Sequence, residues 1–385
     1  MRRAISLIAI VLGAALVVLA IALPTYVVPK GKILPLDVVS TTGTEVANGQ
    51  LLDSGALAAN RPVGDNKNKP ECKGKDKQVS CFIWHEVPIQ TQQFTTAQEP
   101  SDKKQVTLEA GQSVFRTDVA EPRNLLSASV DRVTLDRKTQ MPVPEPVSTL
   151  NLAPPTGESG DGETPPEFTR SGIQYQFPMG TDRKSYPYFD KQVLDANPIE
   201  FVDEDEQGGE KVYRFHQTIE PTSIYEPQRD YFESDGDLSK AEEGVLSSLK
   251  LTFPAKVWGV PGDDEDVEMK RYYTVDRNIT VEPETGVIVN GAEEIWMFYA
   301  KDDAEAQEMA KPENRDRERA NPQRTALYLP AQWDDKAREN QVATAKEGLS
   351  TMKTMGVVMP WILGVVGVVL IIVGFLLGRA PRYDY

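Results

Sequence analysis

Histidine and cysteine are nearly absent: the 385 residues carry only His85 and His216, and only Cys72 and Cys81. A zinc-type centre draws three or four such ligands together, so no metal and no cofactor is expected. The signatures of catalysis are missing too: there is no G-x-S-x-G turn, no H-E-x-x-H helix and no phosphate-cradling glycine loop. Two S-x-x-K matches, Ser101 to Lys104 and Ser247 to Lys250, stand without the S-D-N and K-T-G stretches that accompany them in serine acylases. His85 and His216 have the chemistry of a base, but His216 in the strand-like Arg214-Phe215-His216-Gln217 reads first as an ordinary part of a barrel wall. No catalytic residue is assigned and the chain reads as a non-enzyme. An uncharacterised envelope hydrolase is the enzymatic alternative, because plentiful carboxylates leave room for an acid pair.

Positive charge is also in short supply. Against 42 Lys and Arg stand 58 Asp and Glu, a net charge of −16, which repels nucleic acid and removes it from the partners. The acidic runs Asp203-Glu204-Asp205-Glu206 and Asp263-Asp264-Glu265-Asp266 lack the spacing of a calcium loop and read as solvated turns. One basic island interrupts this acidity, at Lys67, Lys69, Lys73, Lys75 and Lys77. It is either a solvated loop or a holder of an anionic head group by Coulomb attraction.

Two long apolar runs, residues 4–23 and 357–378, contain no charge, and each has the length a helix needs to cross a hydrocarbon core. Arg2 and Arg3 precede the first, while Arg379 and Arg382 follow the second, so both termini belong on the cytoplasmic side. The expected organisation is a spanning helix over residues 1–23, an extracytoplasmic β-rich domain over 24–330, a connecting helix over 331–355, a second span over 356–378 and a cytoplasmic tail over 379–385. A signal peptide cleaved after Ala20-Ile21-Ala22 is the competing reading of the first run. Gly374 and Gly378 have the spacing that lets two helices approach closely, though glycines scattered in a valine-rich span look the same. In an oxidising compartment, Cys72 and Cys81 read as a disulfide stapling a loop.

Between the runs, β-branched and aromatic clusters punctuated by turn residues predict strands at 106–108, 114–116, 130–135, 173–177, 212–219, 250–253, 272–281, 287–289 and 294–299. The stretch from Val281 through Pro283-Glu284-Thr285-Gly286 to Gly291 is the clearest hairpin. Residues 141–169, and the acidic stretch 203–209, read as irregular insertions. Helices are expected at 301–319 and 332–353, the latter leading toward the second span, where Pro360 is tolerated in the first turn. In Ile295-Trp296-Met297-Phe298-Tyr299 both parities are apolar, so the strand is covered on both faces, by ordinary core or by a cavity.

Several stretches in order, Ile33-Leu34-Pro35-Leu36-Asp37, Gly172 to Pro178, Tyr186-Pro187-Tyr188-Phe189-Asp190, Val212 to Phe215 and Val281 to Gly286, resemble an actinobacterial membrane-protein family called PorA-like, long of unknown function, which includes LmcA, a protein of lipomannan maturation. The Cys72 to Cys81 loop and the insertion at Met141 depart from the family's pattern. The resemblance implies a mostly β, elongated, barrel-like domain with an internal cavity and a protruding C-terminal helix. On that basis Ile295, Trp296, Met297, Phe298, Tyr299, Tyr213, Phe215 and Phe177 are expected to line a lipid cavity, with the five lysines as head-group candidates. The implied function is lipid binding or transfer in lipoglycan assembly at the plasma membrane, with a phospholipid or glycolipid as ligand. A scaffold for envelope glycosyltransferases is the alternative. A transmembrane β-barrel channel is not expected, because the middle of the chain is too charged and interrupted for lipid-facing strands.

Overall fold

The computed structural model describes residues 2–152, 165–262 and 264–379. Residues 153–164 of the proline-rich insertion, Asp263 of the second acidic run and the tail from 380, with Arg382, lie outside the described residues. Two units divide the chain: residues 34–341, and a helical unit of residues 1–33 with 342–385.

The larger unit is one antiparallel sheet of fourteen strands among the described residues. In chain order they are β1 (Val39–Gly43), β2 (Ala47–Leu52), β3 (Ile83–Gln98), β4 (Gln105–Arg116), β5 (Leu125–Asp136), β6 (Ser148–Asn151), β7 (Glu167–Phe168), β8 (Tyr186–Asp190), β9 (Asp195–Gln207), β10 (Glu210–Ser223), β11 (Lys250–Pro254), β12 (Asp266–Val281), β13 (Ile288–Ala300) and β14 (Thr325–Gln332). The spatial order is β7-β6-β5-β4-β3-β2-β14-β13-β12-β10-β9-β8, with β1 also pairing β3 and β11 pairing β12. Two meanders of sequential neighbours therefore meet at one seam, where β2 and β14 register only Leu51 with Leu327 and Gln50 with Tyr328.

The sheet curls without closing. Lys191, just past β8, donates to Gln112 on β4 and Ser129 on β5. Leu150 on β6 packs with Ile219, Tyr273 and Val275 from the other meander. No ladder joins β7 to β8 among the described residues, so barrel-like describes the curvature only.

The acidic stretch 203–209 is not an irregular insertion. Asp203 to Gln207 ends β9 and pairs with β10 across a turn in which Gly208 and Gly209 both take positive φ, 62° and 83°. Two consecutive residues in that region make the tight hairpin turn that matches strand twist. The charges are then used across strands, with Arg214 bonding Asp203 at 2.6 Å and Lys211 reaching Glu204 at 2.8 Å. Residues 173–177, expected as a strand, instead run over the sheet with a single bridge from Ile173 to Tyr188.

Two-sided apolarity in β13 has a direct cause. Trp296 and Phe298 face outward with Tyr272 and Tyr328, under Ala306 and Met309 of the helix Asp303–Ala310. The following helix Pro312–Ala320 lays Arg315 over Trp296 and Arg319 over Tyr328, and both arginines also reach Glu294. Ile295 and Met297 face inward, against the core shared with Leu150 and Tyr273. Cys72 and Cys81 are bridged, with S–S 2.04 Å, and pack with Phe82.

In the helical unit, the helices Arg2–Ala22 and Met359–Arg379 pair antiparallel. Glycine sets their distance: a Cβ on Gly13 would lie 2.5 Å from the Gly367 carbonyl oxygen, and one on Gly374 would lie 3.0 Å from that of Ser6. Ser6, buried in this contact, donates its hydroxyl to the Gly374 oxygen at 2.7 Å, as a polar group in hydrocarbon must. π turns at Leu23–Val27 and Thr354–Val358 lie side by side near Pro24 and Pro360. The second belongs to one unbroken helical run, Asp335–Arg379.

Candidate functional site

Alternation in β12 carries Tyr273, Val275, Arg277 and Ile279 to the inner face, which places a guanidinium among apolar neighbours. Register sets Gln217 and Glu293 directly across from Arg277 on β10 and β13. The guanidinium donates to Glu293 at 2.5 Å, to Asp190 at 2.7 Å and to the Gln217 side-chain oxygen. Asp190, only 2% exposed, also accepts from the Tyr273 hydroxyl at 2.9 Å.

The facing wall comes from the first meander. Gln93, Gln112 and Ser129 are cross-strand neighbours on β3, β4 and β5, and Asp131 lies two residues farther along β5. Asp131 accepts from Arg170 at 2.7 Å and from the Tyr175 hydroxyl. Arg170 also stacks over Phe189, 3.8 Å from its centroid. Lys191 completes the group on Gln112 and Ser129, at 3.2 Å from the latter. Among the described residues the interior therefore has a polar belt of three cations, Arg277, Arg170 and Lys191, and three carboxylates, Asp190, Glu293 and Asp131. Apolar cores lie elsewhere on the same wall, with Leu108, Val133 and Leu135 in one and Ile89, Val114 and Leu126 in another.

Burial governs how these groups titrate. Around Arg277, desolvation is the largest single effect and opposes the charge, yet Glu293, Asp190, Tyr273 and Tyr188 acting together hold the guanidinium well above its ordinary value. Desolvation also depresses Lys191, only partly offset by Asp131, Glu293 and Asp190. Tyr273 and Tyr175 are pushed well up, first by burial and then by Asp190 and Asp131 respectively. Burial raises Tyr188 and Tyr231 as well. A phenol whose folded pKa exceeds its unfolded value of about 10 contributes stability that is complete below that pH and is lost as pH rises through the folded pKa. Alkaline titration should therefore show tyrosinate absorbance and unfolding rising together above about pH 10. Tyrosine ionisation completed with the sheet still intact would contradict this burial.

The residues expected from sequence fall in several places. Phe177, Tyr213 and Phe215 share one core with Ile173, Tyr186 and Ile279, with the Phe177 and Phe215 rings 4.7 Å apart. Tyr299 packs with Val79, Ile83 and Trp258. Trp296 and Phe298 lie under the outer helix, and Ile295 and Met297 lie inside, so the eight are spread over five apolar clusters instead of lining one cavity. Of the lysines, Lys67, Lys73 and Lys75 are exposed, while Lys69 and Lys77 are half-buried, Lys77 reaching the Asn60 side chain at 3.3 Å. His216 lies half-buried beside Asn278 and Thr218, and the half-buried His85 is depressed by burial and by Lys69. The Ser101 and Ser247 hydroxyls are spent on the local carbonyls of Gln98 and Gly244.

Sequence reading missed the polar belt. Its trace was there: Arg277 sits at the inward parity of an otherwise apolar alternation, and Asp190 closes an aromatic strand. Its partners come from strands up to 87 residues away, and only register brings them together.

A curled antiparallel sheet with a charged interior, joined in one chain to two paired apolar helices, defines a class of membrane-associated β protein. The chain belongs to the Porin PorA family, which it matches over residues 5–376. A Porin PorA of Corynebacterium resistens is 57% identical over 405 aligned residues, covering 99% of this chain and 98% of the relative. Another, of Corynebacterium amycolatum, is 46% identical over 382 residues, covering 97% and 98%. These names overturn the expectation of a lipid-binding or transfer protein for lipoglycan assembly, because a porin is a channel protein. They also correct the rejection of a channel. Charged, interrupted strands speak against a lipid-facing β-barrel, but not against a channel built by another route.

Proposed function

We propose that this chain is a plasma-membrane protein of two spans, with the sheet on the extracytoplasmic side, and that several copies assemble into a channel. The paired helices carry the topology. Their apolar windows hold no charge, and Arg2, Arg3 and Arg379 lie at one end of the antiparallel pair while Tyr26 and Trp361 lie at the other. Because Gly13 and Gly367 pack on each other, residues 1–23 read as a retained anchor rather than a cleaved signal. The channel half of the proposal comes from the relatives' name. Two helices in van der Waals contact enclose no lumen, so conduction requires more than one copy. On this reading the partners are the bilayer and further copies of the chain, and no catalysis is involved. Kinship with LmcA rests on the sequence stretches alone.

Planar bilayers doped with the purified full chain test the channel. The expected result is stepwise conductance whose frequency rises more steeply than in proportion to protein. Chain that inserts but conducts at no protein-to-lipid ratio would remove the channel and leave the topology standing. Topology is read separately, by an impermeant thiol reagent on intact cells: Asp235→Cys should react and Tyr385→Cys should not, and the reverse pattern would invert the orientation.

A further inference from the structure

We propose that Lys191 and Arg170 form a binding site for a small inorganic anion of chloride or bromide size inside the sheet. Within the belt, the carboxylates are already engaged: Asp131 by Arg170 and Tyr175, Asp190 by Arg277 and Tyr273, and Glu293 by Arg277. Lys191 differs from the two arginines. Its ammonium contacts only neutral oxygens, those of Gln112 and Ser129, and forms no ion pair among the described residues. An ammonium has three N–H groups, so one is left over.

Arg170 offers the second half of the site. Its side chain is 1% exposed and its Nη1 is used on Asp131, while Nη2 is buried with no hydrogen-bond partner. A buried donor left unmade costs about 1–3 kcal/mol, so it is a standing demand for an acceptor. The two cations are neighbours by construction. Lys191 is bonded to Ser129 and Arg170 to Asp131, alternate inward residues of β5, which places their anchors about 7 Å apart along the strand. That separation suits one monatomic anion accepting from both. The charge of Arg170 and the burial of Lys191 both depress the ammonium, and a bound anion relieves both effects. Asp131 on the same wall repels an anion, but Arg170 and Tyr175 hold its two oxygens, which turns its charge toward them.

The proposal stands whether or not the protein conducts. Thermal unfolding of the full chain in detergent, in chloride and in gluconate at equal ionic strength, tests it. Chloride should raise Tm by a few degrees over gluconate, because a ligand that binds only the folded state stabilises it. Lys191→Met should abolish the difference, while Lys75→Met, in the exposed loop, should retain it. Equal Tm in both salts for the unmodified chain would overturn the site, as would a difference that persists in Lys191→Met. Should Lys191→Met not fold, crystals of the unmodified chain grown in bromide decide: an anomalous peak between Lys191 and Arg170 supports the site, and peaks confined to surface lysines overturn it.

Discussion

Arg277→Leu is expected to lower the stability of the sheet by about 3–5 kcal/mol, the cost of stranding a buried charge when its partner is removed. The guanidinium is the shared donor to Asp190, Glu293 and Gln217, and Asp190 has no route to solvent at 2% exposure. Its other contacts, the Tyr273 hydroxyl at 2.9 Å and the Gln192 N–H at 2.8 Å, are neutral donors. A second substitution, Asp190→Leu, should recover part of the loss, since it removes the stranded buried charge, while the Gln217 oxygen, the Tyr273 hydroxyl and the Gln192 N–H lose neutral partners and the part-exposed Glu293 turns to water. Urea unfolding of the two variants in detergent measures both. A single substitution costing under about 1 kcal/mol would mean that Asp190 finds water in place of the arginine.

Gly286→Val should be equally severe, for a steric reason. Gly286 has φ of +72°, and a Cβ there would lie 2.0 Å from the Phe177 carbonyl oxygen. Positive φ in a β-branched residue, together with the displacement of a backbone, should cost about 4 kcal/mol or more. The clash falls where the overlying segment is fastened, with Phe177 N donating to the Gly286 oxygen at 3.0 Å and Thr181 N to that of Pro283 at 2.7 Å. Limited proteolysis should then open residues 173–181. Gly244 supplies the control: it is helical, with nothing within 4 Å of a Cβ, so Gly244→Ala should be neutral or stabilising by about 0.5–1 kcal/mol. Equal unfolding midpoints for the two variants would refute the close approach.

The strands legible in the sequence were those with unbroken β-branched or aromatic runs, such as β12 and β13. The hairpin at Gly286 was legible for the same reason, since its turn is closed locally: Glu282 accepts from Glu284 N, Thr285 N and the Thr285 hydroxyl. β3 was not, although it runs for 16 residues. Its polar run Gln90-Thr91-Gln92-Gln93 carries no apolar period, and its pairing comes from β1, β2 and β4. β9 was hidden by its charges, which make sense only once Arg214 and Lys211 stand opposite. The helix at 225–232 went unseen, although the Tyr231 hydroxyl accepts from Leu150 N at 2.9 Å and donates its one proton to the Pro166 carbonyl, at 2.9 Å, and so ties the helix to the other meander. Of the candidate site, only the parity of Arg277 and the place of Asp190 at the end of an aromatic strand were visible, each within its own strand.

The narrow seam between β2 and β14 governs the order in which the sheet can form. Each meander is built from neighbours in sequence and can begin to pair as soon as its hairpins exist, at little loop-closure cost. The β2 strand, near the beginning of the chain, must wait for residues 325–332 before its outer edge is covered. Throughout synthesis, then, the first meander presents an open strand edge, and the short span of β2, six residues with Gly49 at its centre, limits what that edge can recruit in the meantime.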